Sequence, residues 1–89
     1  MKKMIVAILK DEDTEAVVMA MVERGYSVTR IASTGGFLRQ GRTTLMIGVG
    51  AEQVDQAIQL IRENCAPTIE LLLKRATVFV LNVDHFEQL

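Results

Sequence analysis

The sequence is poor in the residues that stabilise small domains covalently or through metals. It contains one cysteine, one histidine, one proline and no tryptophan among 89 residues. A single cysteine, Cys65, cannot form a disulfide within the chain, and no cluster of Cys and His has the spacing of a zinc site. A disulfide-rich domain and a zinc-stabilised domain are therefore excluded. We expect a reducing, cytoplasmic environment in which Cys65 is an ordinary buried thiol.

Long hydrophobic runs and a strong net charge are also missing. The run from Met4 to Leu9 ends at Lys10, which is too short for a membrane span or a signal peptide. The net charge of −1 lacks the basic excess that is typical of nucleic-acid-binding proteins. We therefore expect neither a membrane nor a nucleic acid polymer among the partners of this protein.

The charges are distributed unevenly along the chain. The segment between Arg24 and Ala51 contains no acidic residue, and its arginines are Arg24, Arg30, Arg39 and Arg42. Such a segment either binds an anionic partner or has its counter-charges elsewhere in the fold. From charge alone, both alternatives stay open.

Hydrophobic spacing predicts a single domain, residues 1–89, with the element order βαββαβ. Strands are predicted at 3–10, 26–32, 43–49 and 68–83, and helices at 11–24 and 51–64. Asp11 is predicted to cap the first helix, Gly25 to follow its last turn, and Pro67 to end the second helix. This order predicts a ferredoxin-like α+β fold, in which an antiparallel sheet carries two helices on one face.

The apolar surface exceeds what one such domain can bury. The first helix is apolar without a break from Ala16 to Val22, although one stripe would suffice for packing. Alternating residues of the first strand must also point away from the helices, either Met4, Val6 and Ile8 or Ile5, Ala7 and Leu9. The predicted final strand is unusually long, so that it either bends or reaches a neighbouring subunit. We therefore expect an oligomer.

Catalytic residues are scarce. The only histidine, His85, follows Asp84, and neighbouring residues in a strand point to opposite faces, so this pair is not a proton relay. No catalytic carboxylate pair, metal-ligand cluster or Ser/His/Asp set can be assembled from the sequence, and it contains no phosphate-binding loop or dinucleotide motif. We expect neither enzymatic activity nor a bound metal or cofactor.

The central segment S-T-G-G-F-L-R-Q-G-R-T-T, residues 33–44, has the chemistry of an anion-binding loop. Its paired glycines let backbone amides approach an anion closely, and its hydroxyls and two arginines can donate further hydrogen bonds. Phe37 could stack on a base. Equally, the segment could be a hairpin loop whose Phe37 lies in the core or against another subunit. Gly48, within the third strand, marks a position where a ligand or a second backbone can approach closely.

Five segments spread along nearly the whole chain carry a recognisable pattern. They are M-I-V-A-I at 4–8, D-E-D at 11–13, V-T-R-I-A-S-T-G-G-F-L-R-Q-G-R-T-T at 28–44, A-T-V-F-V at 76–80 and V-D-x-F-x-Q at 83–88. Together they resemble the PII-like cyclic-di-AMP receptor family. The resemblance implies a cytosolic homotrimer of ferredoxin-like subunits. It also implies that the protein is a sensor rather than an enzyme, and that it binds cyclic di-AMP, or a related adenine nucleotide, in clefts between subunits.

The resemblance also implies a set of ligand contacts. These are Thr29, Gly36, Phe37, Leu38, Gly48, Phe79 and Gln88. The loop amides and Thr29 are expected to hydrogen-bond the ligand, and the apolar members to surround a base.

The sequence departs from the family pattern at three of the implied contacts. Receptors of the family have Asn, Arg and Asn where this chain has Gly25, Ser27 and Arg42. The long loop that family members carry before the last strand is reduced to about Ala66–Pro67, so the downstream protein target stays open. A homotrimer that has lost cyclic-di-AMP binding and acts as a protein-interaction module is the main alternative. An enzyme subunit or metal-responsive relative with the same fold is another.

Overall fold

The described part of the chain folds into a four-stranded antiparallel sheet with its helices packed on one face. The computed structural model describes residues 1–31, 41–65, 76–87 and 89. The elements are β1 (Lys2–Lys10), α1 (Asp11–Glu23), β2 (Ser27–Ile31), β3 (Arg42–Gly50), a 3₁₀ turn (Ala51–Gln53), α2 (Val54–Asn64) and β4 (Ala76–Asn82). The strands lie in the order β2-β3-β1-β4, and every neighbouring pair is antiparallel. The predicted ferredoxin-like α+β fold is confirmed.

The core lies between the helices and one face of the sheet. Strands β1 and β3 run through the centre of the sheet, and the apolar residues that alternate along them are buried against α1 and α2. The fully or nearly fully buried core residues are Ile5, Ala7, Leu9, Val17, Met21, Leu45, Ile47, Val49, Ala57, Leu60 and Ile61. The period-two alternation of the strands therefore divides their side chains into a buried set under the helices and a second set on the opposite side of the sheet.

The start of α1 differs from the prediction, since Asp11 is not the N-cap. The cap is Lys10, which still has extended backbone angles (φ −66°, ψ 142°) and provides no capping side chain. The N–H of Asp11 donates to the carbonyl of Gly41 at 2.8 Å, and its carboxylate accepts a hydrogen bond from the Thr43 hydroxyl at 2.5 Å. Because these groups continue the β1–β3 pairing, Asp11 becomes the first helical residue. The acidic first turn still interacts favourably with the helix dipole.

The end of α1 confirms the prediction made for Gly25. This glycine has φ +81°, in the left-handed region that other residues rarely adopt. Its N–H donates to the carbonyl of Val22 at 2.9 Å, and the N–H of Tyr26 donates to that of Met21 at 3.0 Å. This pair of bonds is the Schellman motif, which satisfies the last carbonyls of a helix. It directs the chain into β2.

Several element ends are shifted by a residue or more. β2 begins at Ser27 rather than Tyr26, and β3 is one residue longer at each end than predicted. The second helix begins with a 3₁₀ turn, where the N–H of Gly50 donates to the Gln53 side chain at 2.9 Å. β4 is described from Ala76 onward. The predicted extension of that strand over 68–75 and the stop at Pro67 lie outside the described residues.

Candidate ligand-binding face of the sheet

The side of the sheet opposite the helices carries most of the predicted site residues that the structure describes. Directly paired residues in antiparallel strands share a face, so the register identifies the members of this surface. The open face, as we call it, consists of Lys2, Met4, Val6, Ile8, Lys10, Ser27, Thr29, Ile31, Arg42, Thr44, Met46, Gly48, Gly50, Thr77, Phe79 and Leu81. Of the two alternatives that the sequence left for β1, the one with Met4, Val6 and Ile8 outward is observed.

One row of residues crosses the open face from edge to edge. Thr29 in β2 pairs with Met46 in β3, Met46 pairs with Val6 in β1, and Val6 pairs with Phe79 in β4. At about 4.8 Å between neighbouring strands, the row spans about 14 Å. It has an exposed hydroxyl at one end and, at the other, an aromatic ring that is 53% exposed. This Thr29–Phe79 row can offer a hydrogen bond and flat apolar surface to a ligand.

The next row contains a gap in the side-chain layer. Ser27 pairs with Gly48, Gly48 with Met4, and Met4 with Leu81. Among the described residues, no heavy atom lies within 4 Å of the position that a β-carbon would occupy on Gly48. A ligand group or a neighbouring side chain could therefore come close to the backbone at this position. Gly25 lies just before this row, in the exposed turn that precedes β2.

The arginine-rich segment is divided between the two sides of the sheet. Arg30 points to the helix side, where its guanidinium forms an ion pair with Glu15 of α1 at 2.6 Å. Arg42 has the parity of the open face, and its directly paired partner is Lys10. The structure thus shows a counter-charge elsewhere in the fold for Arg30. Lys10 was missed by the sequence analysis, because only the strand register brings it beside Arg42.

Some predicted residues fall outside the part of the chain that the structure describes. Gly36, Phe37, Leu38 and Gln88 are among them, as is Arg39. His85 is exposed and its Nε2 lies 3.0 Å from the Glu87 carboxylate, as a surface pair would. Cys65 is only partly buried, packed at the margin of the core. It was expected to be fully buried, but it follows the last turn of α2 and lies at the edge of the helix layer.

A shallow depression on the helix side is chemically different from the open face. It has a volume of about 420 Å³ and lies between the end of α1 and the outer side of α2. Its lining residues are Arg24, Asp55, Gln56, Gln59, Leu60 and Glu63. None of the predicted ligand contacts is among them. Within the described ranges no group of three or more His, Cys, Asp or Glu residues is arranged to hold a metal ion.

Exposed apolar side chains include those of the two surfaces that the sequence predicted, the sheet face away from the helices and α1. On the sheet, Phe79 is 53% exposed, Leu81 46% and Ile31 40%. On α1, Met19 and Val22 are 59% and 58% exposed, because the core takes only one stripe of that helix. None of the helices in the described ranges has the length and hydrophobicity needed to cross a membrane.

The fold of the described residues defines a ferredoxin-like α+β domain whose helices pack on one side of its sheet. Comparison with known proteins identifies the family. The model of the cyclic-di-AMP receptor family matches residues 1–75. The chain belongs to this family of signal receptors, which confirms the resemblance seen in the sequence.

A solved structure supports the fold. It is the crystal structure of a functionally unknown protein from Pediococcus pentosaceus ATCC 25745, which is 32% identical in sequence and superposes with a TM-score of 0.79. The similarity covers 99% of this chain and 97% of that chain. The chain therefore has nearly the same extent as this relative.

Proposed function

We propose that this protein is a cytoplasmic sensor that binds cyclic di-AMP in clefts between the subunits of a homotrimer. The observation that carries the proposal is the Thr29–Phe79 row, in a chain that belongs to the cyclic-di-AMP receptor family. A hydroxyl, an exposed aromatic ring and an uncovered glycine suit a ligand that combines purine bases with phosphodiesters.

The open face supports the assembly part of the proposal. Small single domains rarely leave a contiguous apolar surface of this kind in water, and such surfaces usually mark an interface. Copies of the chain that pack through the open face would cover Val6, Met46 and Ile8 at its centre. The outer strands, β2 and β4, would then lie at the margins between neighbouring copies, where Thr29 and Phe79 border a cleft.

In the cleft, each proposed contact has a chemical role. The ring of Phe79 packs against one adenine, together with Phe37 and Leu38 of the central loop. The hydroxyl of Thr29 hydrogen-bonds the ligand, and Gly36 and Gly48, which have no side chain, allow its close approach. Gln88 contributes an amide from the C-terminal segment. Arg42 and the small residues Ser27 and Gly25 border the same surface.

The second candidate is a homotrimer that does not bind the nucleotide and acts as a protein-interaction module. Ser27 and Gly25 favour it, because Ser27 is paired with Gly48 and Gly25 lies just before that row, at positions where the family pattern has a long cation and an amide. Loss of these donors would remove hydrogen bonds to phosphate and base.

Calorimetry on the purified oligomer separates the two candidates. We expect saturable binding of cyclic di-AMP, and weaker or no binding of ATP and cyclic di-GMP. Thr29→Val removes one hydroxyl at nearly constant volume and should weaken cyclic-di-AMP binding about fivefold, the value of one hydrogen bond. Thr77→Val is the matched control on the same face, in the β4 strand, and should leave the affinity unchanged.

The oligomeric state is measured in parallel by light scattering after size exclusion. A trimer with a flat titration against all three nucleotides would support the interaction module instead. A monomer at all accessible concentrations would overturn the intersubunit cleft.

A further inference from the structure

Two cationic side chains face each other directly at one end of the open face. Lys10 is the last residue of β1 and pairs with Arg42, the first residue of β3. The next pair along, Asp11 and Gly41, is joined by a backbone hydrogen bond of 2.8 Å. Because hydrogen-bonded and non-hydrogen-bonded pairs alternate in an antiparallel ladder, Lys10 and Arg42 form a non-hydrogen-bonded pair. The α-carbons of such pairs are only about 4.5 Å apart.

Neither side chain has a counter-charge in residues 1–31, 41–65, 76–87 or 89. Both are partly buried, and neither takes part in an ion pair there. The nearest acid in sequence, Asp11, is held by the Thr43 hydroxyl, and Thr43 has the parity of the helix side. Of the two connecting segments, residues 32–40 contain no Asp or Glu and add a further arginine, and residues 66–75 contain one acid, Glu70, together with Lys74 and Arg75.

The acids of the C-terminal segment are at the other end of the sheet. The N–H of Val83 donates to the carbonyl of Lys2 at 3.2 Å, so the residues that follow Val83 leave from the end of the sheet where β1 begins. Lys10 is the last residue of that strand. Asp84 and Glu87 therefore follow the chain away from the Lys10–Arg42 pair.

We propose that Lys10 and Arg42 form a subsite for the phosphate group of a ligand. Like charges directly opposite each other destabilise a strand pair, and partial burial raises the cost of two cations that have no acidic partner among the described residues. A phosphate removes the repulsion, because its oxygens accept two parallel hydrogen bonds from a guanidinium and another from an ammonium.

The position of the pair suits a ligand that also reaches the Thr29–Phe79 row. Lys10 and Val6 lie four residues apart on the same face of β1, or about 13 Å. The long side chains of Lys10 and Arg42 can close part of this distance. A dinucleotide can therefore place a base at the row and a phosphodiester at the cation pair. The assignment of the phosphate to cyclic di-AMP rests on the proposed function.

Calorimetry with cyclic di-AMP tests the subsite on the full chain. Lys10→Gln and Arg42→Gln should each weaken binding about tenfold, as expected for the loss of a charge-assisted hydrogen bond. The wild-type affinity should fall as potassium chloride is raised from about 0.05 to about 0.3 M, and the fall should be smaller in both variants. Lys2→Gln is the matched control, since it removes the same charge from the same face at the opposite end of β1. It should stay within about twofold of wild type.

Thermal unfolding with inorganic pyrophosphate tests the subsite without the nucleotide. Pyrophosphate should raise the Tm of the wild type and of Lys2→Gln, but not that of Lys10→Gln or Arg42→Gln. If the wild type binds cyclic di-AMP and both variants bind it equally well, the subsite is wrong while the proposed function stands. If the wild type does not bind cyclic di-AMP, the proposed function is wrong and pyrophosphate decides. Stabilisation lost in the two variants then supports the subsite, whereas no stabilisation, or equal stabilisation of all variants, overturns it.

Discussion

Replacement of Phe79 by alanine should weaken nucleotide binding much more than a similar truncation on the other face of the same strand. The Phe79 side chain is 53% exposed in the single chain. A phenylalanine buries about 150–250 Å² when it is fully covered, so about 100 Å² of Phe79 is available to a ligand. At about 25 cal/mol per Å², covering that area contributes about 2.5 kcal/mol. Alanine at position 79 would retain a small part of this contribution, so the binding free energy should weaken by about 2 kcal/mol, or about 30-fold in Kd.

Val80→Ala provides the control for Phe79→Ala. Val80 is the next residue of β4, is 42% exposed and points to the opposite face of the sheet. Both substitutions remove partly buried apolar area, so both should lower the free energy of unfolding, by about 1–2 kcal/mol. Only Phe79→Ala should change the Kd for cyclic di-AMP. The assay is calorimetry at a concentration where light scattering shows that each variant has the wild-type oligomeric state.

Two results would contradict the reasoning about Phe79. One is a Phe79→Ala variant with an unchanged oligomeric state and a Kd within about twofold of wild type, since the ring could then contribute little area to the ligand. The other is an equal loss of affinity in Val80→Ala, which would point to a general effect of destabilising β4. A Phe79→Ala protein that loses its assembly instead would place the ring at a contact between subunits.

The remaining predictions concern the fold and the assembly. Gly25→Ala should lower the free energy of unfolding by about 1–2 kcal/mol in urea titrations, because its φ of +81° is unfavourable for any residue with a β-carbon. Gly48→Ala should lower the free energy of unfolding by less than about 0.5 kcal/mol, because Gly48 has an ordinary φ and no described neighbour close to the position of a β-carbon. Equal losses of stability at both glycines would refute the argument. Met21→Ala should cost about 2–5 kcal/mol because Met21 is fully buried, whereas Met19→Ala, at a 59% exposed position of the same helix, should cost less than about 0.5 kcal/mol. Val6→Glu places a charge at the centre of the open face and should convert the oligomer to monomers, as measured by light scattering. Met19→Glu, on α1, should leave the oligomer intact. An intact Val6→Glu oligomer would show that another surface holds the copies together.

The core could be predicted from the sequence because its signal is local. In β1 and β3 the alternation of side chains restricts the buried set to one of two faces, and the glycine after α1 marks the end of the helix by its backbone freedom alone. The choice between the two faces could not be predicted, since Met4, Val6 and Ile8 are as apolar as the residues that are buried. Packing against α1 and α2 decides it.

The surroundings of the arginines and of Asp11 could not be predicted, because the spacing of residues along the sequence does not show which strands pair. The sequence shows that Arg30 and Arg42 belong to one cationic segment, but only the strand register places Arg30 beside Glu15 and Arg42 beside Lys10. The capping prediction for Asp11 was wrong for the same reason. A good N-cap residue is recognised from its local context, whereas the backbone and carboxylate of Asp11 are engaged by Gly41 and Thr43, about 30 residues away in sequence.

The strand order has a consequence for ligand binding by oligomers that contain two different mutant subunits. β2 and β4 are the two outermost strands, so the hydroxyl of Thr29 and the ring of Phe79 belong to opposite margins of one subunit. In a closed ring of copies, the Thr29 margin of each subunit would meet the Phe79 margin of the next. A subunit defective only at Thr29 and a subunit defective only at Phe79 would then complement each other, because one of the junctions between them joins two intact margins.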